Sequence, residues 1–192
     1  RRQRQMCIRD RYCQMTDDKN TGVYDLIAKE KNGTNGTSIK YGVAMANTIV
    51  DDLTIMNANE WDWWTACSYG TYTDGLIYLD EDNHENLDFS KRYYCLGNFS
   101  KFIKEGAVRV ACSSGVKNVR SVAFVNEDNT VVTVYVNNND KKAYTTIDCE
   151  GDYAVYTTDR DNDIAKTDFG KAKKVKVSLP ASSVVTVVYE AK

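Results

Sequence analysis

The sequence predicts an α/β segment followed by an all-β segment, with the change of texture near residue 105. Before that point, apolar residues recur at helical spacing in two stretches. After it come eight short runs rich in β-branched and aromatic residues: 108–112, 119–126, 130–137, 143–148, 153–157, 165–168, 174–179 and 184–189. Turn clusters such as Asn126-Glu127-Asp128-Asn129 and Asn137-Asn138-Asn139-Asp140 separate them, so an antiparallel β-sandwich of about eight strands is expected.

The elements of the first segment follow in order. Tyr12-Cys13-Gln14-Met15 reads as the end of a strand. Asn32-Gly33-Thr34-Asn35-Gly36-Thr37 is a double turn signal and reads twice as a glycosylation sequon. Tyr41, Ala44, Met45, Thr48, Ile49 and Leu53 mark a helix over 38–53. Thr54 to Ala66 reads as a strand holding all three tryptophans, Trp61, Trp63 and Trp64. Cys67 to Glu85 reads as a long loop with one apolar piece, Gly75 to Leu79. A loop of that length is usually functional. Phe89 to Ile103 reads as a second helix with Tyr93, Leu96, Phe99 and Ile103 on its apolar face, stopped by Gly106. Two βα units cannot close a sheet, so this segment looks like the end of a (β/α)8 barrel.

Composition narrows the function. The chain of 192 residues has a net charge of −2, yet residues 1–11 hold five Arg and one Asp, a local +4 against −6 for the rest. A basic arm for nucleic acid is one reading of that run. The reading adopted is a leader foreign to the fold, since Met6 to Arg11 resembles translated adapter sequence; no nucleic-acid partner is expected. No stretch approaches the ~20 apolar residues of a membrane span. Six cysteines without CxxC spacing or histidine partners argue against zinc and read as buried small hydrophobes. His84, the sole histidine, reads as a solvated loop residue. Asp159-Arg160-Asp161-Asn162-Asp163 imitates half a calcium loop, but Ile164 replaces its glycine and Gly170 its glutamate, so a polar turn is expected. No metal or cofactor is implied.

The tryptophan stretch suits a ligand wall, where aromatic faces stack and polar neighbours orient. Strand alternation puts Trp61 and Trp63 on one face and Trp64 on the other. In the sandwich, Tyr135, Tyr144, Tyr153 and Tyr156 are present, but alternation could bury any of them.

The run KRYYCLGNFSKFIKEGAVRV, residues 91–110, resembles the junction of family 30 glycoside hydrolases, where the last barrel helix enters a side β-sandwich. Glu105 stands where that family often has Pro. Trp61-Asp62-Trp63-Trp64 is similar to the family's eighth barrel strand, and Leu179-Pro180-Ala181-Ser182-Ser183 to a segment near the end of its sandwich. The likeness implies barrel units over 12–105 and a sandwich over 106–192, with 1–11 left as leader. It also implies retaining hydrolysis by two glutamates about 5 Å apart. The acid/base region has no counterpart here, and Arg11 falls at the nucleophile's position, so the resemblance implies an inactive fragment of a glycosidase whose missing barrel portion is its partner. A guanidinium cannot attack an anomeric carbon. The family pattern pairs Trp61 with Trp64 at the sugar, and Ser68 and Tyr69 follow at the barrel mouth as further substrate contacts. The implied ligand is a β-linked carbohydrate, the nearest branch the endo-β-1,6-galactanases, and the parent extracellular or cell-surface. A free-standing carbohydrate-binding or interaction sandwich is the alternative.

Overall fold

The computed structural model describes residues 8–12 (as backbone), 38–69, 74–80 and 86–190. The expected sequons, His84, Cys7, Cys13 and residues 1–7 of the leader lie outside them. Strand β1 (Ile8–Tyr12) pairs in parallel with β2 (Glu60–Trp63), so four residues of the expected leader contribute backbone to a strand.

Between them lies helix α1 (Ile39–Asp51), capped by Ser38, whose hydroxyl accepts from the Lys40 amide. It buries Tyr41, Val43, Met45, Ala46, Ile49 and Val50 on one face. The helix continues into a π-helical turn, Asp52–Met56, where the sequence suggested a strand. Thr54 and Ile55 carry β-branched preference, but the Thr54 hydroxyl donates back to the Val50 carbonyl at 2.6 Å and prolongs the winding. Asn57, in the left-handed region at φ 57°, stops it.

The stretch expected as a long loop carries a small sheet: β3 (Cys67–Tyr69), β4 (Ile77–Leu79) and β5 (Leu87–Phe89), in that order, β3 and β4 parallel, β4 and β5 antiparallel. Three-residue strands are too short for period-2 patterning to reveal.

Helix α2 (Lys91–Ser100) starts at Ser90, whose buried hydroxyl accepts from the Tyr93 amide. Its buried face is Arg92, Cys95, Asn98 and Phe99, one residue round from the expected stripe, and Tyr93 is exposed. Two polar residues on the inner face misled the hydropathy reading. Helices α1 and α2 meet at Gly42: a Cβ there would lie 2.5 Å from Cys95 Sγ and 3.0 Å from the Lys91 carbonyl.

Six strands form the second sheet, in the order β10-β9-β11-β8-β7-β6: β6 (Val108–Val110), β7 (Val119–Val125), β8 (Thr130–Asn137), β9 (Ala143–Thr158), β10 (Ala165–Leu179) and β11 (Ser183–Glu190). The eight expected runs are all extended, but two pairs fuse, because the backbone runs on through Gly151 (φ 118°) and through the bulge between Ala172 and Lys174. Val155 and Tyr153 in the far half of β9 pair with β11, whereas Ala143 to Asp148 pairs only with β10. Ile147, Cys149, Val175, Val177 and Leu179 from that outer arm share one core with Val119, Tyr135, Val155, Val185 and Val187. The β9–β10 hairpin thus folds over the sheet and makes its second layer.

The opposite face of the same sheet carries the helices. Val122, Phe124, Val132, Val134, Val136 and Val184 pack with Met45, Ile49, Cys95 and Phe99. Strand β8 is therefore buried on both sides and shows no alternation in its Val-rich sequence. Each such valine contributes about 1.5–3 kcal/mol relative to exposure.

Asn98 fastens the helix to the sheet. Its amide donates to the Thr158 hydroxyl and to the Tyr94 carbonyl at 3.0 Å, while the Thr186 hydroxyl donates to the Asn98 carbonyl at 2.7 Å. All three side chains joined here, Asn98, Thr158 and Thr186, are fully buried. Asn98→Leu should remove the side-chain bonds to Tyr94, Thr158 and Thr186, leaving Thr186 the main-chain carbonyl of residue 98 and Thr158 the Ile164 amide, and costing about 2–3 kcal/mol for the bonds lost. A thermal melt should then show a midpoint lower by roughly 4–12 °C than that of the unmodified chain.

Candidate functional site

The parallel pair β1–β2 brings its two C-terminal ends together, with Arg9 opposite Trp61 and Tyr12 opposite Trp63. Arg11 lies in β1 just before that end, beside the register shift between Arg9 and Tyr12.

Alternation along β2 decides where its side chains go. Trp61 and Trp63 share the face turned to the helices, their rings 6.2 Å apart and inclined by 27°. The Trp61 indole N–H donates to Asp52 Oδ2 at 2.9 Å, and Asp52 sits buried in the π-helical turn. The Trp63 indole N–H donates to the Asp74 carbonyl at 2.6 Å. Arg92 rises from α2 beneath this strand, its guanidinium 5.3 Å from the Trp63 ring and 5.4 Å from the Tyr41 ring. Arg92 Nη2 donates to the Tyr78 hydroxyl at 2.7 Å. Burial pulls the Arg92 guanidinium below its ordinary pKa and pushes the Tyr78 hydroxyl above its own.

Asp74 closes the cluster. It is buried, and its Oδ1 accepts from Ser68 Oγ at 2.7 Å. Gly75 is required beside it, since a Cβ there would lie 2.8 Å from Ser68 Cβ. The result is a buried polar plug of Arg92, Tyr78, Asp74 and Ser68 that backs the tryptophan strand. Trp64 and Tyr69 remain outside it, 50% and 43% exposed, with Glu60 and Asp62 on the open face of β2. The peptide bond Trp64–Thr65 is cis.

The four expected contact residues therefore divide. Ser68 is engaged inside the plug, and Trp61 is half-buried on the helix-facing side of β2, bonded to Asp52. Trp64 and Tyr69 are presented to the open side. Arg92, Tyr78 and Asp74 were missed by sequence reasoning. The available signal was the spacing 92, 95, 99, which sets Arg92 on the same helical stripe as Cys95 and Phe99.

Other expected features fall outside this region. Asp159 to Ile164 forms the β9–β10 turn, with Asp159 Oδ1 accepting from the amides of Asp161 and Asn162 at 2.9 Å and Asp163 paired to Lys91 at 2.6 Å. Among the described residues there is no group of three metal-ligating side chains. Cys95 and Cys149 are buried as expected, Cys112 is half-buried, and Cys67 is exposed. Burial pushes the Cys95 thiol up.

The architecture is that of the closing units of a (β/α)8 barrel joined to a side sandwich. The family model described as "O-Glycosyl hydrolase family 30" matches residues 14–78, and that described as "Glycosyl hydrolase family 30 beta sandwich domain" matches residues 106–187. The chain belongs to glycoside hydrolase family 30. Among solved structures it is similar to a family 30 subfamily 8 xylanase from Clostridium acetobutylicum, at 27% identity and TM-score 0.70 over 83% of this chain and 41% of that one. It is also similar to a conserved exported protein from Bacteroides fragilis, at 25% identity and TM-score 0.79 over 96% and 39%. The catalytic domain of a family 30 xylanase from Talaromyces cellulolyticus shares the fold at 20% identity and TM-score 0.76, over 99% and 42%. The chain spans about two fifths of the length of these structures.

Two outcomes test the site's construction. Arg92→Met should cost about 3 kcal/mol through the Tyr78 hydroxyl it leaves buried, and should change the tryptophan emission of the folded chain. In a native thiol titration, Cys67 should react ahead of Cys95 and Cys149, which should become reactive only on unfolding.

Proposed function

We propose that this chain supplies the aromatic wall and the side sandwich of a retaining β-glycoside hydrolase acting outside the cell on a β-linked polysaccharide. The observation that carries the reading is the exposed pair Trp64 and Tyr69 at the C-terminal ends of parallel strands, the end where barrel enzymes place their chemistry. An exposed indole following a rigidly held strand suits the apolar face of a sugar ring, and the exposed Tyr69 hydroxyl suits sugar oxygens.

Hydrolysis needs two carboxyl groups flanking the scissile bond. Arg11 occupies the position expected for the nucleophile. Glu60 and Asp62 project from the same face of one strand, so they stand side by side rather than across a sugar. The chain itself is therefore read as inactive: Arg11 stands in the nucleophile's place and the acid/base has no counterpart in it. The tryptophan-rich strand favours a β-1,6-galactan, whereas two of the similar structures are described as xylanases.

Incubated with xylan or with β-1,6-galactan, the 192-residue chain should release no reducing sugar. Measurable release would overturn the inactivity. Binding of the corresponding oligosaccharides, followed by calorimetry, should weaken roughly tenfold in Trp64→Ala and stay unchanged in Glu60→Gln. Equal affinity of Trp64→Ala and the unmodified chain would remove the wall from the reading.

A further inference from the structure

The face of the six-stranded sheet that carries the helices is not covered to its end. Paired positions run across it in rows. In the row Val134–Thr186–Tyr156, the Tyr156 ring is met by Phe102 at 4.5 Å between centroids. The next row on the same face is Val132–Val188–Ala154–Phe169, and only its first half lies under the helical core. Ala154 is the smallest side chain of that row, and the Phe169 ring beside it is 67% exposed. Beyond it, at the strand ends, stand Thr130, Glu190 and Asp152. Val188, Ala154, Phe169, Thr130, Glu190 and Asp152 are part of the lining of a trough of about 380 Å3, with Lys166 on its other flank. That volume falls within the range of small-molecule sites.

The lining has a particular chemistry. Phe169 offers an aromatic face that nothing in the fold's own packing requires to be exposed. The Lys166 ammonium lies 4.6 Å from the ring centroid and holds its orientation. Asp152 and Glu190 bring carboxylate acceptors to one end, and Lys166 brings a donor to the other. An apolar floor with acceptors and donors at opposite ends matches a pyranose, which has one C–H face and a rim of hydroxyls. A purely apolar partner would desolvate those charges, including the Asp152 carboxylate that Lys171 meets at 3.5 Å.

We infer that this trough is a second saccharide site, in which Phe169 stacks on a sugar ring while Asp152, Glu190 and Lys166 bond its hydroxyls. The ligand class rests on the function proposed above. The residues do not, since none belongs to the wall at Trp64.

The test is affinity electrophoresis of the full 192-residue chain in native gels containing soluble arabinoxylan or β-1,6-galactan. Phe169→Ala should lower the association constant for the retarding polysaccharide at least about fivefold, and Phe169→Tyr should preserve it. Because the ring is largely exposed, the melting midpoint of Phe169→Ala should match that of the unmodified chain. Retardation of Phe169→Ala equal to that of the unmodified chain overturns the inference, as does the absence of retardation in both polysaccharides. Loss of retardation in Trp64→Ala alone would sink this second site and leave the barrel-end wall standing. Loss in Phe169→Ala alone would support the second site and count against the wall.

Discussion

The structure depends on one shared core between helices and sheet, locked by the buried amide of Asn98. Polar side chains are rarely sealed inside a core unless every bond is made. Here the amide reaches a helix carbonyl and a hydroxyl on β9, and Asn98 accepts from a hydroxyl on β11. Those bonds have direction, so they set the rotation of α2 against the strands in a way that valines alone could not. Asn126 repeats the device one turn later, donating to the Phe102 carbonyl and accepting from the Lys104 amide at 3.0 Å each. The chain leaves the helix and enters the sandwich along a fixed path.

This makes the boundary near residue 105 a boundary of sequence but not of packing. Val122, Val132, Val134, Val136 and Val184 belong to the sandwich by order and to the helices by burial. Without α1 and α2 that face would be a broad apolar surface, the kind that drives association. The sandwich interior, built by the folded hairpin, is separate from it. One sheet therefore serves two cores.

Much of this was legible beforehand. Two helices, the run of strands, the turn at Asp159 and the junction motif around Gly97 and Phe99 all emerge from patterning or from likeness. What stayed hidden has physical reasons. Arg92 and Asn98 occupy the inner face of α2, Arg92 against the Tyr78 hydroxyl and two aromatic rings and Asn98 within its three bonds, whereas hydropathy sees only polar residues. The strands β3, β4 and β5 are too short to carry a period. Gly151 reads as a turn signal, yet it lets β9 bend while remaining extended. At the tryptophans, simple alternation placed Trp61 with Trp63, as the structure does, whereas the family pattern pairs Trp61 with Trp64, two indoles that lie on opposite sides in the alternation.

The plug and the shared core have a joint consequence for ligand recognition. Trp63 is held by Arg92 and Asp74 and Trp61 by Asp52, so the strand that Trp64 directly follows is rigidly placed. Phe169 belongs to β10, which is bonded through β9 to β11 and so to the same core. The distance between the two exposed rings is then a property of the fold rather than of a linker. Two sugar contacts at fixed spacing raise the effective concentration of the second once the first is made, provided the chain of sugars can span them. A short oligosaccharide would occupy one contact or the other. On the two proposals made above, only a polymer long enough to reach both rings would gain from the pair, and the rigid core would favour polysaccharide over its fragments.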